Sequence, residues 1–382
     1  MIIAYWRPDL NAGIWIALFW AVFTATNLLP VRWFPELEMW FSSIKVLTIA
    51  AFVVFAVAVA AGASQQGTIG FAYWHDPGPF GHYILPGVPG QVLGVCGVLI
   101  QATFSFQGTE LVGSGAGEAR NPRKTVPRAV SATFWSVTSM FVLTIFSIGL
   151  VVPSNSSQLL RGDREADSST REDASASPLV IAAVRAGIPL LAHAINAVLL
   201  TAVLSAANSN IYSASRGLVS LAQEGLAPRW LARTSTSGVP RQAVAITSIF
   251  GLLALLNLSP VGGNIFNWLV SVIAVAGLVT WGCICLAHLR FMAALKAQGV
   301  VREDLPYKAP CQPWLSGYGV GFIAIIILTQ GFAAFIPWDT TEFFVAYLSL
   351  IIFVVCFVGH KVSMRTRVIP LRHVNLRPRQ DL

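Results

Sequence analysis

Apolar residues in this chain come in runs of about 20, the length a helix needs to cross about 30 Å of hydrocarbon, and short polar or basic stretches separate the runs. A brief apolar piece, Met1 to Tyr5, ends at Trp6-Arg7-Pro8 and reads as the last turn of a helix. A first full span is predicted over Ile14 to Leu29, closed by Pro30, and a second over Met39 to Ala61. The third covers Gln91 to Gly117 and the fourth Ala132 to Val152. A fifth runs from Leu179 to Ser209, is long enough to hide a break, and continues as a polar helical tail through Leu221. The sixth is Ala243 to Leu258, the seventh Ile265 to His288, the eighth Gly317 to Ile336 and the ninth Phe343 to Val358. The expected fold class is all-α: a polytopic membrane helix bundle of about nine transmembrane helices.

The stretches between the runs fill in the picture. Ser64 to Pro89 is rich in Gly, Pro, Trp, Tyr and His, which suits an interfacial aromatic cap. Residues 153–178 form a polar loop, expected to be flexible in part, and Lys361 to Leu382 form a basic tail. Of the 382 residues 55% are hydrophobic and 11% charged, about half the charge of a soluble domain. The net charge of +8 does not point to a nucleic-acid partner, because the basic residues sit in short loops and the tail and form no basic domain. Arg120, Arg123, Lys124 and Arg128, then Arg216, Arg229, Arg233 and Arg241, then Arg290, Lys296, Arg302 and Lys308, then the tail fall on alternate connections. Asp163, Glu165, Asp167, Glu172, Asp173, Asp339 and Glu342 fall on the others. The basic side is expected to be cytoplasmic, the C-terminus included, and the basic residues to meet membrane lipids. The sequon Asn155-Ser156-Ser157 would then face away from the cytoplasm. The five cysteines lie mostly in apolar runs and read as small packing residues. No metal cluster, phosphate loop or nucleophile–base pair is evident, and neither a cofactor nor an enzyme activity is expected; no cleavable signal peptide is evident either.

The third run carries the candidate chemistry. Within TFSFQGTELVGSGAGEARNPRKTVPRAV, Thr103 to Val130, an apolar helix meets Gly108, Gly113, Gly115, Gly117 and Pro122, and it contains Glu110. A carboxylate at membrane depth costs several kcal/mol unless it is paired, protonated or wetted. A glycine-broken apolar helix with an acid at the break is the pattern of a discontinuous substrate-binding helix. Phe104 and Phe106 flank the break, Ser105, Gln107 and Thr109 offer hydrogen bonds, and Gly108 frees the backbone from helical geometry. Elsewhere Lys45 lies inside the second run, either as a functional ammonium or as a snorkelling side chain. Asn196, Ser205, Asn208 and Ser209 share the fifth run; Ser205 and Asn208, three apart, either line a cavity or bond across helices. Asn27 and Asn267 read as interhelical contacts, His193 and His288 as interfacial.

At FSFQGTELVGSGAGEARNPRKTVPRAV the sequence resembles the amino acid permeases of the amino acid–polyamine–organocation superfamily, with fungal amino acid permeases and the bacterial lysine-specific permease as the nearest groups, and the likeness covers nearly the whole chain. MWFSSIKVLTI (Met39 to Ile49), NAVLLTAVLSAANSNIYSASRGLVSLAQEGLAPRWL (Asn196 to Leu231), GVPRQAV (Gly238 to Val244) and LPYKAPCQPW (Leu305 to Trp314) support the likeness. Pro35 in WFPELE departs from it, since relatives carry Gly there.

The resemblance implies a single amino acid permease transmembrane domain over 1–382, with an incomplete five-plus-five inverted-repeat transporter fold. The chain would open at the end of the third of twelve helices and lack the glycine-rich first helix that holds the substrate carboxylate. It implies amino acid transport across the plasma membrane by alternating access, with protons as the coupling partner of import. Phe104, Ser105, Phe106, Gln107, Gly108, Thr109, Glu110, Ser205 and Asn208 would be substrate-binding, Lys45 and Glu110 proton-coupling and Glu118 gating. A non-transporting amino acid sensor and an inactive truncated remnant remain open as alternatives.

Overall fold

The computed structural model describes every residue except 1, 8, 31–32, 65–66, 115–120, 157–158, 160–176, 260, 303–304, 306 and 377–382. In chain order the α-helices are α1 (Ala12–Asn27), α2 (Trp33–Ala60), α3 (Ala72–His75), α4 (Gly87–Phe106), α5 (Leu111–Ser114), α6 (Pro122–Val151), α7 (Pro178–Arg185), α8 (Pro189–Gln223), α9 (Arg241–Gly251), α10 (Gly262–Ala297), α11 (Trp314–Thr329) and α12 (Thr340–Ser363). Among the described residues there is no β-strand. Among the described residues eight helices are long and apolar enough to cross a membrane. The first expected span, α1, is a shorter apolar helix of 16 residues, about 24 Å at 1.5 Å per residue.

Local chemistry sets the ends. Asn11 caps α1 by accepting from the Gly13 N–H at 2.8 Å, and Asp339 caps α12 by accepting from Thr341 and Glu342 N–H at 2.7 and 3.1 Å. Both satisfy amides that an open first turn leaves without partners. Pro35 sits in the first turn of α2, where a missing N–H costs nothing. The fifth span, long enough to hide a break, is two helices. Gly187 takes φ +77° and Pro189 opens α8, so the chain turns between α7 and α8. A hydropathy run hides this turn because Ala186, Gly187 and Ile188 are all apolar or neutral. The eighth span also ends earlier than expected: α11 stops at Thr329, and a separate 3-10 turn covers Phe332–Ala334.

The chain divides into two compact units, Met1–Gly81 with Thr138–Ile265, and His82–Val137 with Phe266–Leu382. In the first, a core of Phe52, Ala56, Val59 and Ala60 from α2 meets Leu150 to Val152, Val180 to Ala183, and Ala192 and Ile195 of α8. A second small core joins Ala222, Leu231 and Ala243. In the second unit, Ile100 of α4 packs with Ala274, Val275 and Leu278 of α10 and with Ile326 and Ile327 of α11. Fully buried positions are mostly small or hydroxylic: Ala56, Ala183, Ala192, Ala243, Ala274, Ser147, Ser205, Ser215 and Ser248. Large apolar side chains such as Leu47, Val54, Phe134, Phe250, Leu328 and Val355 point outward. Small residues between helices and large apolar ones outside is the arrangement lipid selects, since hydrocarbon does not drive large side chains inward. This is an integral membrane protein.

Candidate functional site

Among the described residues, each unit holds a polar constellation built around a carboxylate. In the second unit α4 ends at Phe106, the backbone leaves the helix at Gln107 (φ −64°, ψ 142°), and Gly108 takes φ +95°. Glycine is the residue that enters this left-handed region without a Cβ penalty. The helix resumes as α5 at Leu111. The break expected from the sequence is therefore present, four residues wide from Gln107 to Glu110.

Glu110 folds back over it. The Gly108 N–H lies 3.2 and 3.1 Å from its two carboxylate oxygens, and the Trp281 indole N–H donates to Oε2 at 3.0 Å. Gln107 donates from Nε2 to the Ile273 carbonyl at 3.0 Å. Its side chain lies directly over Gly277, where a Cβ would come within 2.3 Å of Nε2. Ile273, Gly277 and Trp281 are spaced by four, so they form one stripe along α10. That stripe holds the residue that opens the break and the one that ends it. All the donors on Glu110 are neutral, and among the described residues no basic side chain pairs with it.

The remaining predicted residues of this run divide. The hydroxyls of Ser105 and Thr109 donate to Gln101 and Phe106 carbonyls of their own chain segment, each at 3.0 Å. Phe104 is exposed and Phe106 half-buried. Glu118 lies outside the described residues, as do Gly115, Gly117 and Arg120.

The first unit brings Lys45 and Ser205 together with a residue that sequence reasoning missed. Glu38 and Lys45 lie two turns apart on α2, so they share a side of that helix. Lys45 Nζ sits 3.5 Å from Glu38 Oε1 and donates to Ser205 Oγ at 2.8 Å. The Ser205 hydroxyl in turn faces both Glu38 oxygens at 2.9 Å. Ser209, one turn further along α8, reaches Glu38 Oε2 at 3.0 Å. Ser205 is buried, while the two charged side chains are each about 30% exposed. This is a lysine, carboxylate and hydroxyl network whose charges cancel inside it. An acid seven positions before a lysine signals such a pair, but it passes in a sequence for an interfacial charge.

Asn208 takes no part in that network. Its Oδ1 accepts from Thr26 Oγ1 and Asn27 Nδ2, both at 2.8 Å, which ties α8 to the end of α1. Asn27 is thus an interhelical contact, as expected. Asn196 is fully buried and donates to the Ile2 carbonyl at 3.1 Å. His193 accepts from the Trp6 indole, and His288 bonds Ser316; Asn267 is exposed on α10. All five cysteines are free, and among the described residues no group of His, Cys, Asp and Glu could hold a metal. The residues that reasoning from the sequence missed are Glu38, Gly277 and Trp281. The last two repeat at helical spacing and look like ordinary packing.

Comparison with known proteins supplies the frame for both constellations. The amino acid permease family model matches residues 1–371. The chain is 42% identical over 370 residues to the lysine-specific permease of Saccharomyces cerevisiae, covering 96% of this chain and 59% of that protein. It is 41% identical over 372 residues to the basic amino-acid permease of the same organism, covering 96% and 64%. With the proline-specific permease of Emericella nidulans the identity is 38% over 370 residues, covering 96% and 66%. The chain spans about six-tenths of the length of the lysine-specific and basic amino-acid permeases it matches. With a family model matching nearly its full length and the helical architecture described above, the chain belongs to the amino acid permease family.

Proposed function

We propose that this chain forms the greater part of an amino acid permease that moves its substrate across the plasma membrane by alternating access, driven by proton symport, with the C-terminus cytoplasmic. The observation that carries this is Glu110. It ends a four-residue break in an apolar helix and receives only neutral N–H donors among the described residues. Acids at membrane depth are costly and mark substrate or ion pathways. Exposed carbonyls at a broken helix supply further acceptors. A carboxylate with its charge uncompensated is complementary to the ammonium group that every free amino acid carries.

Relatives named for lysine, for basic amino acids and for proline stand at similar identity. The reading therefore commits to amino acids as a class and leaves the side chain to the uptake panel. Lys45 is assigned to proton coupling, with Glu38 and Ser205 as the groups its ammonium contacts. Glu118 is assigned to gating.

The test is uptake of labelled lysine, arginine, proline and leucine by transport-deficient cells expressing the protein, measured across external pH, with surface amount controlled. Uptake above the vector control of at least one amino acid, stimulated by acid pH and abolished by Glu110→Gln, is expected. Absence of uptake for all amino acids sinks the transport reading, and saturable binding without uptake would favour a sensor. Unchanged pH dependence in Lys45→Met would remove the coupling role from Lys45 alone.

A further inference from the structure

α10 is 36 residues long, and its last turns run on past His288, the end of its expected span. The chain after α12 returns to this extension. Gln298 donates from Nε2 to the Leu371 and Val374 carbonyls at 2.9 and 2.8 Å, and Arg290 bonds the Ile369 carbonyl. Residues 369–374, which composition alone reads as a loose basic tail, are thus held by three bonds to carbonyls spaced along them. A 3-10 turn at Leu371–His373 lies in the held segment.

Docking has two consequences. It gathers Arg365, Arg367 and Arg372 of the tail beside Arg290 and Lys296 of α10, all of them exposed. Lys361, in the last turn of α12, adds another. Among the described residues between Arg290 and Leu376 the acids are Asp339 and Glu342, and both lie at the opposite end of α12. It also leaves Met364, Val368 and Ile369 facing outward between the arginines, at 68, 61 and 58% exposure. The segment begins where a membrane-crossing helix ends. Exposed apolar side chains alternating with arginines at that level are what a strand of chain lying in the headgroup layer presents. A soluble polyanion would match the arginines and leave the apolar side chains in water.

We propose that residues 364–372, clasped by Gln298 and Arg290, form a binding surface for anionic lipid headgroups. Arginines bind phosphate and carboxylate groups there, and Met364, Val368 and Ile369 enter the acyl boundary. Juxtamembrane basic clusters gain affinity for anionic leaflets with each Lys or Arg near the surface, and salt screens the attraction.

The experiment reconstitutes the purified protein in vesicles of phosphatidylcholine alone and of phosphatidylcholine with phosphatidylserine. It follows hydrogen exchange of residues 364–376 and tryptic cleavage after Arg365, Arg367 and Arg372. Phosphatidylserine should slow both by roughly tenfold, given several basic residues near the surface, and high salt should restore the faster rates. In Arg365→Gln/Arg367→Gln the difference in exchange between the two vesicle types should shrink severalfold. In Gln298→Ala, which frees the tail without touching its charge, it should fall as well. Equal rates in the two vesicle types overturn the proposal, as does full protection retained in Arg365→Gln/Arg367→Gln. Protection by inositol hexakisphosphate in neutral vesicles, with none from phosphatidylserine, would assign the surface to a soluble polyanion and overturn the lipid assignment. The readout needs no transport, so it stands or falls separately from the permease reading.

Discussion

The two polar constellations answer the same problem in opposite ways. In the first unit Lys45 and Glu38 are both charged, and they neutralise one another through a buried serine on the neighbouring helix. In the second unit Glu110 meets a backbone amide and an indole N–H, which stabilise its position without cancelling its charge. A closed ion pair has no remaining charge to offer a ligand. A carboxylate held by neutral donors keeps one. Under the proposed function, the contrast assigns ligand contact to Glu110 and a switching or structural role to Lys45.

The largest expected effect is on the uncompensated side. Glu110→Gln preserves shape and removes charge, and uptake should fall by at least tenfold, because the charge-assisted contact is worth about 1.5–3 kcal/mol. The surface amount should not change. Retention of wild-type uptake would put the substrate's amino group elsewhere. Next comes Gly277→Ala, whose methyl group meets Gln107. Overpacking of this kind costs about 1–3 kcal/mol, read as a lower thermal midpoint in detergent together with a raised KM. In Gln107→Ala the obstructing side chain is gone, and adding Gly277→Ala should then cost little. Equal costs in both backgrounds would mean that the stripe does not act through Gln107.

On the compensated side, Lys45→Met or Glu38→Gln alone leaves one charge without its partner. Each should destabilise more than the double variant does, with a coupling of about 1 kcal/mol, at the modest end because both side chains are partly exposed. Zero coupling would make the pair incidental and weaken the contrast. Smallest is Trp281→Phe, which keeps the ring and removes one donor from Glu110. KM should rise severalfold with kcat nearly unchanged, because the carboxylate stays in place on its Gly108 contact. An equal fall in kcat would show that Trp281 acts in the moving step and not in positioning.

The difference between what was legible and what was not follows physical lines. Runs of about 20 apolar residues declare membrane helices because each helix must satisfy its own backbone. The break at Gly108 could be read because a glycine and an acid stand together inside such a run. The turn at Gly187 was harder to see, since apolar residues continue on both sides of it and only Arg185 interrupts them there. Ser205 and Asn208 show the limit of face arguments. At 100° per residue they lie about 60° apart, which is enough for one to meet α2 and the other α1. Glu38 carried only the weak signal of its spacing from Lys45, and Gly277 and Trp281 carried none, because each matters through a partner two turns away or on another helix.

The sequence by itself determined that this is an all-helical membrane protein, where most of its spans lie, that one of them breaks beside Glu110, and its resemblance to the amino acid permeases. All of these depend on residues close together in the chain, on the thickness of a bilayer, or on long matched motifs. Only the tertiary structure decided which polar groups meet: Lys45 with Glu38 and Ser205, Asn208 with α1, Glu110 with Trp281, and the tail with Gln298. Those pairings depend on which helices are neighbours and how each is rotated about its axis, and side-chain packing across the bundle sets that geometry.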